Sequence, residues 1–454
     1  ELGDPECFDA ATRAAFQKWC RTKYKTLEAL NKAWGTIFWG HTYLAWSEVP
    51  LPWNTLGKAH NPSLALDFKR FQSETTHGYL KVQTEILRRV APKQAITHNA
   101  MGMYDNVDYS DLLRSVDFVA WDNYPMFGEN YADYFGPAMA HDLMRGSKNN
   151  QNFMVMEQQG GLPGWNIFWG RQAAPGLYRA WAYQGVAHGA DGICYFRWRT
   201  SRWGTEQYWQ GILDQDSYPN ARYQTASQTG KELGQLADLL QGSKVVSSVA
   251  ILVSPDSRWA FKIQPLVKEF SYNRQMRLYY DAFRRAGVSV DVVFPQSDLT
   301  PYKVVVAPPL FVVDKPLVAK LTDFVKKGGT LVLNYRTGVK DESNVVTDQT
   351  LPGPLAELAG VAIHDFDPHT NQEQELLDGD GESHPARVWF DVLDPTTAES
   401  IANYNRGYYS GKSAATLNSF GQGKVIYIGT ELSKPASYSK LVGFLADGAG
   451  LTLG

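Results

Sequence analysis

The sequence predicts an α/β protein with two successive domains, and three observations support this fold class. The chain has 454 residues, and because single hydrophobic cores stop growing at roughly 250–300 residues, it should contain two or three domains. Short apolar segments alternate with segments of helical periodicity, which is typical of βαβ units in a parallel sheet. Near residue 242 this series ends and a second alternating series begins.

Composition and charge exclude several classes of function. The chain is 44% hydrophobic and 20% charged, with a net charge of −3 and no basic stripe, so we expect no nucleic-acid partner. No apolar run approaches the roughly 20 residues that span a bilayer, so we expect no membrane partner. Cys7, Cys20 and Cys194 lie far apart, without the close spacing of a zinc site. We therefore expect free thiols, no metal and no cofactor.

The first 91 residues predict two long helices separated by a loop. In residues 8–34 apolar side chains recur at spacings of three and four, which is typical of one amphipathic helix, and Gly35 ends it. Residues 36–62 are rich in Trp and Pro and long enough to be functional. A second helix is predicted over 63–91, before Pro92.

Four strand-like segments follow, and each ends in polar or aromatic residues. The segments are 94–99, 116–121, 152–157 and 192–198, with the clearest helical segments at 174–189 and 223–241. Polar groups at the carboxyl ends of successive parallel strands are typical of an α/β-barrel active site. A complete barrel needs eight such units, so this region is either an open sheet or the second half of a barrel.

Glu157 is the most informative of these strand-end residues. It follows the apolar residues 153–156 and precedes Gln158, Gln159 and two glycines. Burying an unpaired carboxylate is costly, so Glu157 should either lie at the end of the strand, where it can reach solvent, or be paired. The residues leave two interpretations open: an ordinary surface residue, or a carboxylate that faces a cleft and is hydrogen-bonded by the two amides.

Residues 245–454 predict a flavodoxin-like α/β domain. After its first strand, Ser254-Pro255-Asp256 stands where a phosphate-binding glycine motif would be expected, so we expect no nucleotide. Residues 367–385, rich in acidic residues, glutamine and glycine, are predicted to be an exposed loop. The predicted strands are 245–253, 288–293, 303–307, 329–334, 386–392, 399–404 and 423–429, and the predicted helices are 266–286, 315–327 and 435–448.

Several longer segments resemble glycoside hydrolase family 42, the retaining β-galactosidases. They are residues 23–35, Trp121-Asp-Asn-Tyr-Pro125, Met156-Glu-Gln-Gln159, residues 188–199, Arg336-Thr-Gly338, Asp341-Glu342 and Leu351-Pro-Gly353. The resemblance implies the C-terminal half of a (β/α)8 TIM barrel over 1–241 and a flavodoxin-like trimerisation domain over 245–454. It also implies a homotrimer that acts on an oligosaccharide or a β-galactoside, without a metal or cofactor, and we expect it in the cytoplasm. The first four barrel strands and the family's small C-terminal β-domain have no counterpart in the sequence, which opens on Glu-Leu-Gly without Met.

The resemblance also assigns roles to individual residues. Glu157 matches the nucleophile, and Glu1 matches the acid/base at the end of the fourth barrel strand, although Leu2 replaces an aromatic residue there. As a chain terminus Glu1 could not function alone, so we expect a cleaved or split protein. The implied substrate-binding residues are Tyr124, Trp165, Glu206 and Trp209, and Trp198 could offer a further aromatic face to the sugar.

One departure from the family bears on specificity. The family usually has His three residues after the carboxylate that corresponds to Glu206, where this chain has Trp209. The expected activity is therefore release of terminal β-galactosyl residues, with an α-L-arabinopyranoside, a β-D-fucoside or a galactan oligosaccharide as alternatives. A non-catalytic carbohydrate-binding or scaffold protein is the alternative from another class. For Asn99, Asp122 and Arg197 a structural salt bridge or strand cap fits the sequence as well as a substrate contact.

Overall fold

The computed structural model describes residues 6–53, 60–126, 133–164, 172–368 and 374–454. Within these ranges the chain forms two β-sheets. The elements of the first half, in chain order, are α1 (Ala10–Tyr24), α2 (Leu27–Trp34), α3 (Pro62–Val90), β1 (Asn99–Ala100), α4 (Tyr109–Leu112), β2 (Val119–Asn123), α5 (Phe135–Gly146), β3 (Phe153–Gln159), α6 (Pro175–Ala187), β4 (Ala190–Phe196), α7 (Ala221–Gln235) and α8 (Ala237–Leu240).

The first sheet is parallel and follows chain order. β1 pairs with β2, β2 with β3 and β3 with β4, each in parallel register. A helix follows each of these strands, so the region is a series of four strand–helix units, as in one half of an α/β barrel. The predicted strand segments 116–121, 152–157 and 192–198 are confirmed, with ends that differ by a few residues. The segment predicted over 94–99 is largely wrong, because β1 is only two residues long and overlaps it at Asn99 alone.

The single helix predicted over 8–34 is wrong. Lys25 adopts φ +64°, a left-handed conformation that interrupts an α-helix. The Thr26 side chain then caps a new helix by accepting a hydrogen bond from the backbone N–H of Ala29 at 3.1 Å. Two helices, α1 and α2, therefore share the amphipathic pattern that suggested one. Both bury their apolar faces against α3, around Phe16, Leu30 and Phe68.

Behind the strand that carries Glu157, α5 supplies a fully buried histidine, His141. Its Nδ1 accepts a hydrogen bond from Trp121 Nε1 at 3.2 Å, and its ring lies 5.4 Å from that of Phe153. Within the described ranges its Nε2 has no partner. Burial lowers the pKa of His141 to about 3, so the folded protein holds this ring neutral.

Acidification should therefore destabilise the fold through His141. Because its folded pKa lies below the unfolded value of about 6.5, its contribution is complete above pH 6.5 and is lost as the pH falls. Between pH 7 and pH 5 this loss should amount to about 2 kcal/mol of unfolding free energy. The measurement is urea unfolding at pH 7 and at pH 5. The unfolding free energy of His141→Gln should fall by about 2 kcal/mol less between these pH values than that of the unchanged protein. His364→Gln, which changes an exposed ring, should behave like the unchanged protein, and an equal pH response in all three would contradict the prediction.

The second half is a larger mixed sheet with flanking helices. Its core strands are all parallel and lie in the order β6 (Val290–Val293), β5 (Val249–Leu252), β7 (Val304–Ala307), β8 (Thr330–Asn334) and β14 (Gly423–Ile428). Numbered along the chain this is the order 2-1-3-4-5 of flavodoxin-like folds, which confirms that prediction. The elements are β5 (Val249–Leu252), α9 (Pro255–Ile263), α10 (Tyr272–Arg285), β6 (Val290–Val293), β7 (Val304–Ala307), α11 (Lys315–Lys326), β8 (Thr330–Asn334), α12 (Ala356–Ala359), β9 (Val361–Asp367), β10 (Gln374–Asp378), β11 (Ser383–Pro395), β12 (Glu399–Tyr404), β13 (Ser413–Phe420), β14 (Gly423–Ile428), β15 (Thr430–Leu432) and α13 (Pro435–Ala449).

The exposed loop predicted over 367–385 is wrong in part. β10 lies within it and pairs antiparallel with both β11 and β12. The alternating side chains of this strand are partly buried, with Gln374 and Leu376 inside, so its polar residues reflect a half-exposed strand. Its acidic composition had favoured a loop.

The two halves pack tightly against one another. α5 lies against β6, and one buried apolar cluster extends from Phe153 and Val155 of the first sheet to Val249 and Val292 of the second. Among the described residues, no helix combines the length and apolar character needed to cross a membrane.

Candidate active site

Side chains at the carboxyl ends of the first sheet form a polar cluster. Asn99 is the first residue of the two-residue strand β1, and Asp122 lies one residue before the end of β2. Glu157 lies two residues before the end of β3, and Arg197 directly follows β4. Because the strands are parallel and adjacent, these ends meet at one edge of the sheet. The Nδ2 group of Asn99 donates a hydrogen bond to Asp122 Oδ2 at 2.7 Å, which joins the first two strands there.

Glu157 is aimed by an irregularity in its own strand. The pairing of β3 shifts register between Trp121 and Asp122 on one side and between Val155 and Gln158 on the other. Such bulges re-aim side chains and occur often beside active sites. The Tyr124 hydroxyl donates a hydrogen bond to Glu157 Oε2 at 2.6 Å. The carboxylate is half-buried and is held by a phenol that directly follows the neighbouring strand β2.

The prediction that Gln158 and Gln159 hydrogen-bond Glu157 is wrong. Both amides are fully buried. The Gln158 Oε1 atom accepts a hydrogen bond from Asn123 at 3.0 Å, and Gln159 bonds the backbone of Met126 and Gly161. Gln158 and Gln159 therefore hydrogen-bond residues that flank the strand. The hydrogen bond to the Glu157 carboxylate comes from Tyr124.

The ring of Tyr124 packs with two further aromatic rings, those of Trp209 and Phe196. The ring centroids of Tyr124 and Trp209 lie 5.0 Å apart in an edge-to-face arrangement, and Phe196 lies 5.9 Å from Trp209 and 6.4 Å from Tyr124. Phe196, the last residue of β4, was not predicted as a site residue. Its position directly before Arg197 at a strand end was the available signal. These rings form an apolar cluster beside the carboxylate, in which Trp209 is 5% exposed.

Negative charge concentrates around Tyr124. Burial raises the pKa of the Tyr124 hydroxyl, and so do its hydrogen bond to Glu157 and the charges of Asp122 and Glu206. Glu206 is positioned by Arg197, whose guanidinium lies 2.6 Å from Glu206 Oε2. The site therefore gathers Glu157, Glu206 and Asp122 around one neutral phenol.

Of the remaining predicted residues, the structure describes only Trp198. Trp198 is 64% exposed and packs edge-to-face on Tyr223 of α7, with ring centroids 6.0 Å apart, so it belongs to the rim beyond β4. Glu1 and Trp165 lie outside the described residues. The structure thus brings Tyr124, Glu157, Glu206 and Trp209 together, and Trp198 is exposed at the rim.

Among the described residues, the cluster with metal-ligand geometry lies in the second half, away from this site. It consists of Asp378, Glu382 and His384. The Lys440 ammonium lies 2.5 Å from Asp378 and 2.7 Å from Glu382, and together with His384 it lowers the pKa of Asp378 against the opposing effect of burial. A protein cation therefore already occupies the position that a metal ion would take.

Comparison with known proteins assigns both halves of the chain. Residues 1–236 match the family described as "Beta-galactosidase" within glycoside hydrolase family 42, and residues 247–452 match its "Beta-galactosidase trimerisation domain". Beta-galactosidase BgaA of Clostridium cellulovorans is 37% identical over 428 residues, which cover 93% of this chain and 64% of that protein. The chain thus spans somewhat less than two thirds of the length of this curated relative.

Solved structures agree with the fold. The β-galactosidase of Bacillus circulans sp. alkalophilus superimposes with a TM-score of 0.93 at 31% identity, covering 99% of this chain and 68% of that one. The β-galactosidase of the Antarctic haloarchaeon Halorubrum lacusprofundi also gives 0.93, at 33% identity, with the same coverage. The fold class predicted from the sequence, the C-terminal half of a TIM barrel followed by a flavodoxin-like domain, is confirmed. The chain belongs to glycoside hydrolase family 42.

Proposed function

We propose that the protein is a retaining exo-glycoside hydrolase that releases terminal β-D-galactosyl residues. The observation that carries this proposal is Glu157, a half-buried carboxylate at a barrel strand end that accepts a hydrogen bond from Tyr124 at 2.6 Å. Residues 1–241 form the catalytic domain and residues 245–454 the trimerisation domain in this proposal. The family match over both halves supports it.

In the mechanism, Glu157 attacks the anomeric carbon while an acid protonates the leaving oxygen. The C–O bond to the aglycone breaks and a covalent glycosyl–Glu157 ester forms. Water then displaces Glu157, after losing its proton to the same acid/base residue, and the product keeps the β configuration. We assign the acid/base role to Glu1, which must lie roughly 5–5.5 Å from the nucleophile.

The neighbouring residues bind and orient the sugar in this proposal. Trp209 and Tyr124 give it an aromatic wall, and Glu206, oriented by Arg197, accepts hydrogen bonds from its hydroxyl groups. Trp165 and Trp198 complete the aromatic contacts. No metal or cofactor takes part, because two carboxylates suffice for the double displacement.

Loss of the Tyr124 hydroxyl should weaken catalysis without loss of the fold. A hydrogen bond to a charged group contributes about 1.5–3 kcal/mol, so Tyr124→Phe should lower kcat/KM by about tenfold to a hundredfold. The assay is hydrolysis of nitrophenyl β-D-galactoside. Tyr223→Phe, which changes the hydroxyl of a residue packed on Trp198 at the rim, is the matched control and should keep its activity; equal rates in the two variants would contradict the role of Tyr124.

We also propose that the active form is a homotrimer. The second half matches a trimerisation domain. The loop after α2 also exposes large apolar side chains, with Ile37 83%, Trp39 79% and Leu44 84% accessible. Contiguous exposed apolar groups mark interaction surfaces. Light scattering of the purified protein should give three times the mass of one chain.

Two alternatives remain distinguishable from the leading proposal. In the first alternative the same mechanism acts on another substrate, an α-L-arabinopyranoside, a β-D-fucoside or a galactan oligosaccharide. This alternative rests on Trp209, which stands in place of the usual His. A non-catalytic carbohydrate-binding or scaffold protein would bind such sugars without turnover. The site carboxylates around Tyr124 favour catalysis over binding alone.

A panel of nitrophenyl glycosides tests the proposal directly. We expect the highest kcat/KM on the β-D-galactoside, with NMR showing the β anomer of galactose as the first product. A first-formed α anomer would rule out a retaining mechanism. Preference for the arabinopyranoside or fucoside would favour the first alternative, and binding without hydrolysis of any substrate would favour the second.

A further inference from the structure

A buried arginine lies beyond the carboxyl end of β8. Arg336, two residues after this strand, is only 7% exposed. Its backbone N–H donates to Asp391 Oδ2 at 3.0 Å, but within the described ranges its guanidinium forms no hydrogen bond or ion pair. Buried charged groups are normally paired, so this side chain requires an explanation.

Aromatic rings cover the guanidinium. Its central carbon lies 4.4 Å from the ring centroid of Trp389, 4.8 Å from that of Phe311 and 5.8 Å from that of Phe366. Rings over a guanidinium face leave the N–H groups at its edge as the means of hydrogen bonding. This edge offers the planar fork that matches a carboxylate or a phosphate.

A second buried cation lies beside the first. Lys340 is 4% exposed, and its Nζ lies 5.0 Å from the same Phe311 ring and donates to Gln264 Oε1 at 2.6 Å. Burial and the charge of Arg336 lower the pKa of Lys340 to about 8. The two cations therefore act on each other, and an anion between them would relieve their repulsion.

The buried carboxylate of this region does not serve as that anion. Asp391 Oδ1 accepts from Trp389 Nε1 at 2.7 Å, and Oδ2 accepts from the Tyr427 hydroxyl at 3.0 Å as well as from the Arg336 backbone. Burial raises the pKa of Asp391. Both oxygens of Asp391 thus accept hydrogen bonds from other donors. The N–H groups of the Arg336 guanidinium remain available to a ligand.

The backbone around these residues is strained. Arg336 has φ +63°, and Val388, next to Trp389, has φ +76°. Positive φ is a genuine outlier for a β-branched residue such as Val388, and such strain persists at ligand sites where the surroundings impose it. The site also lies outside the carboxyl ends of parallel strands, where open α/β sheets bind ligands.

We propose that Arg336 and Lys340 form a binding site for an oxyanion, the carboxylate or phosphate group of a small ligand. This Arg336 site is independent of the proposed glycosidase activity. Phe311, Phe366 and Trp389 would hold the guanidinium in place, so that little side-chain freedom is lost when the anion binds. The same chemistry could be presented by a carboxylate of a second copy of the chain, and the experiment separates the two sources.

The test is titration of the intact protein with sodium phosphate and sodium malonate, followed by thermal unfolding at constant ionic strength set with chloride. We expect saturable stabilisation in the unchanged protein. In Arg336→Gln and in Lys340→Gln the apparent Kd should rise by at least about tenfold, because each change removes charge-assisted hydrogen bonds. Arg89→Gln, which removes an exposed charge on α3, should bind as the unchanged protein does.

Light scattering on the same variants identifies the source of the anion. If neither free anion binds but Arg336→Gln and Lys340→Gln both lower the molar mass while Arg89→Gln does not, the oxyanion comes from a second copy. Binding that is equal in all variants, or no binding together with unchanged mass, would overturn the proposal. Measuring galactoside hydrolysis in parallel keeps the two proposals apart, since we expect full activity in any variant whose assembly is intact.

Discussion

Glu157→Gln is expected to lower kcat on nitrophenyl β-D-galactoside by at least about 10⁴-fold, equivalent to about 5.5 kcal/mol. The amide has nearly the shape of the carboxylate and can still accept the hydrogen bond from Tyr124. It cannot attack the anomeric carbon, so the covalent intermediate does not form. Circular dichroism and thermal unfolding should be unchanged, which separates loss of chemistry from loss of fold.

Two further measurements make this result specific to a nucleophile. In Glu157→Ala, added azide should enter the space of the missing carboxylate and yield the α-galactosyl azide, with displacement from the face that Glu157 occupied. Glu206→Gln is the matched control, since this carboxylate binds Arg197 and is assigned to substrate binding. It should raise KM more than it lowers kcat. Normal turnover in Glu157→Gln would refute the assignment.

The position of Glu157 could be predicted from the sequence because apolar runs and strand ends are local signals. The apolar residues 153–156 predicted the strand, and the polar residue after them predicted where it ends. The partner of the carboxylate could not be predicted in the same way. The shift in pairing at Met156 and Glu157 depends on both neighbouring strands, and it decides that Tyr124 rather than Gln158 meets the carboxylate.

The second half shows the same limit on a larger scale. Its buried parallel strands β5 to β8 are nearly continuous apolar runs and could be predicted. β10 was missed because it is half exposed, and its backbone hydrogen bonds depend on distant strands β11 and β12. The Arg336 site was also missed, since the residues that surround this arginine, Phe311, Phe366 and Trp389, are separated in sequence.

A buried charged contact that joins the two halves could not be predicted from the sequence either. Arg145 of α5 is 1% exposed and lies 2.7 Å from Asp142 and 2.5 Å from Asp291 of β6. Asp142 accepts a further hydrogen bond from Tyr280, and Asp291 accepts from Tyr302 and Ser247. Every member is buried, so removing the cation would leave buried carboxylates without a compensating charge.

Arg145→Met should therefore be the most destabilising of the substitutions considered. It keeps the apolar stem but leaves Asp142 and Asp291 without their shared cation, which should cost about 3–5 kcal/mol. The measurement is the urea unfolding midpoint by tryptophan fluorescence. Arg277→Met is the matched control, since Arg277 also joins the two halves through Asp133 at 2.7 Å but is 25% exposed, so water can reach the carboxylate left behind and the loss should be smaller. Adding Asp291→Asn to Arg145→Met should recover part of the loss, because the uncompensated charge is then removed. If the Arg145 and Arg277 variants unfold at the same urea concentration, burial of the network does not set its contribution.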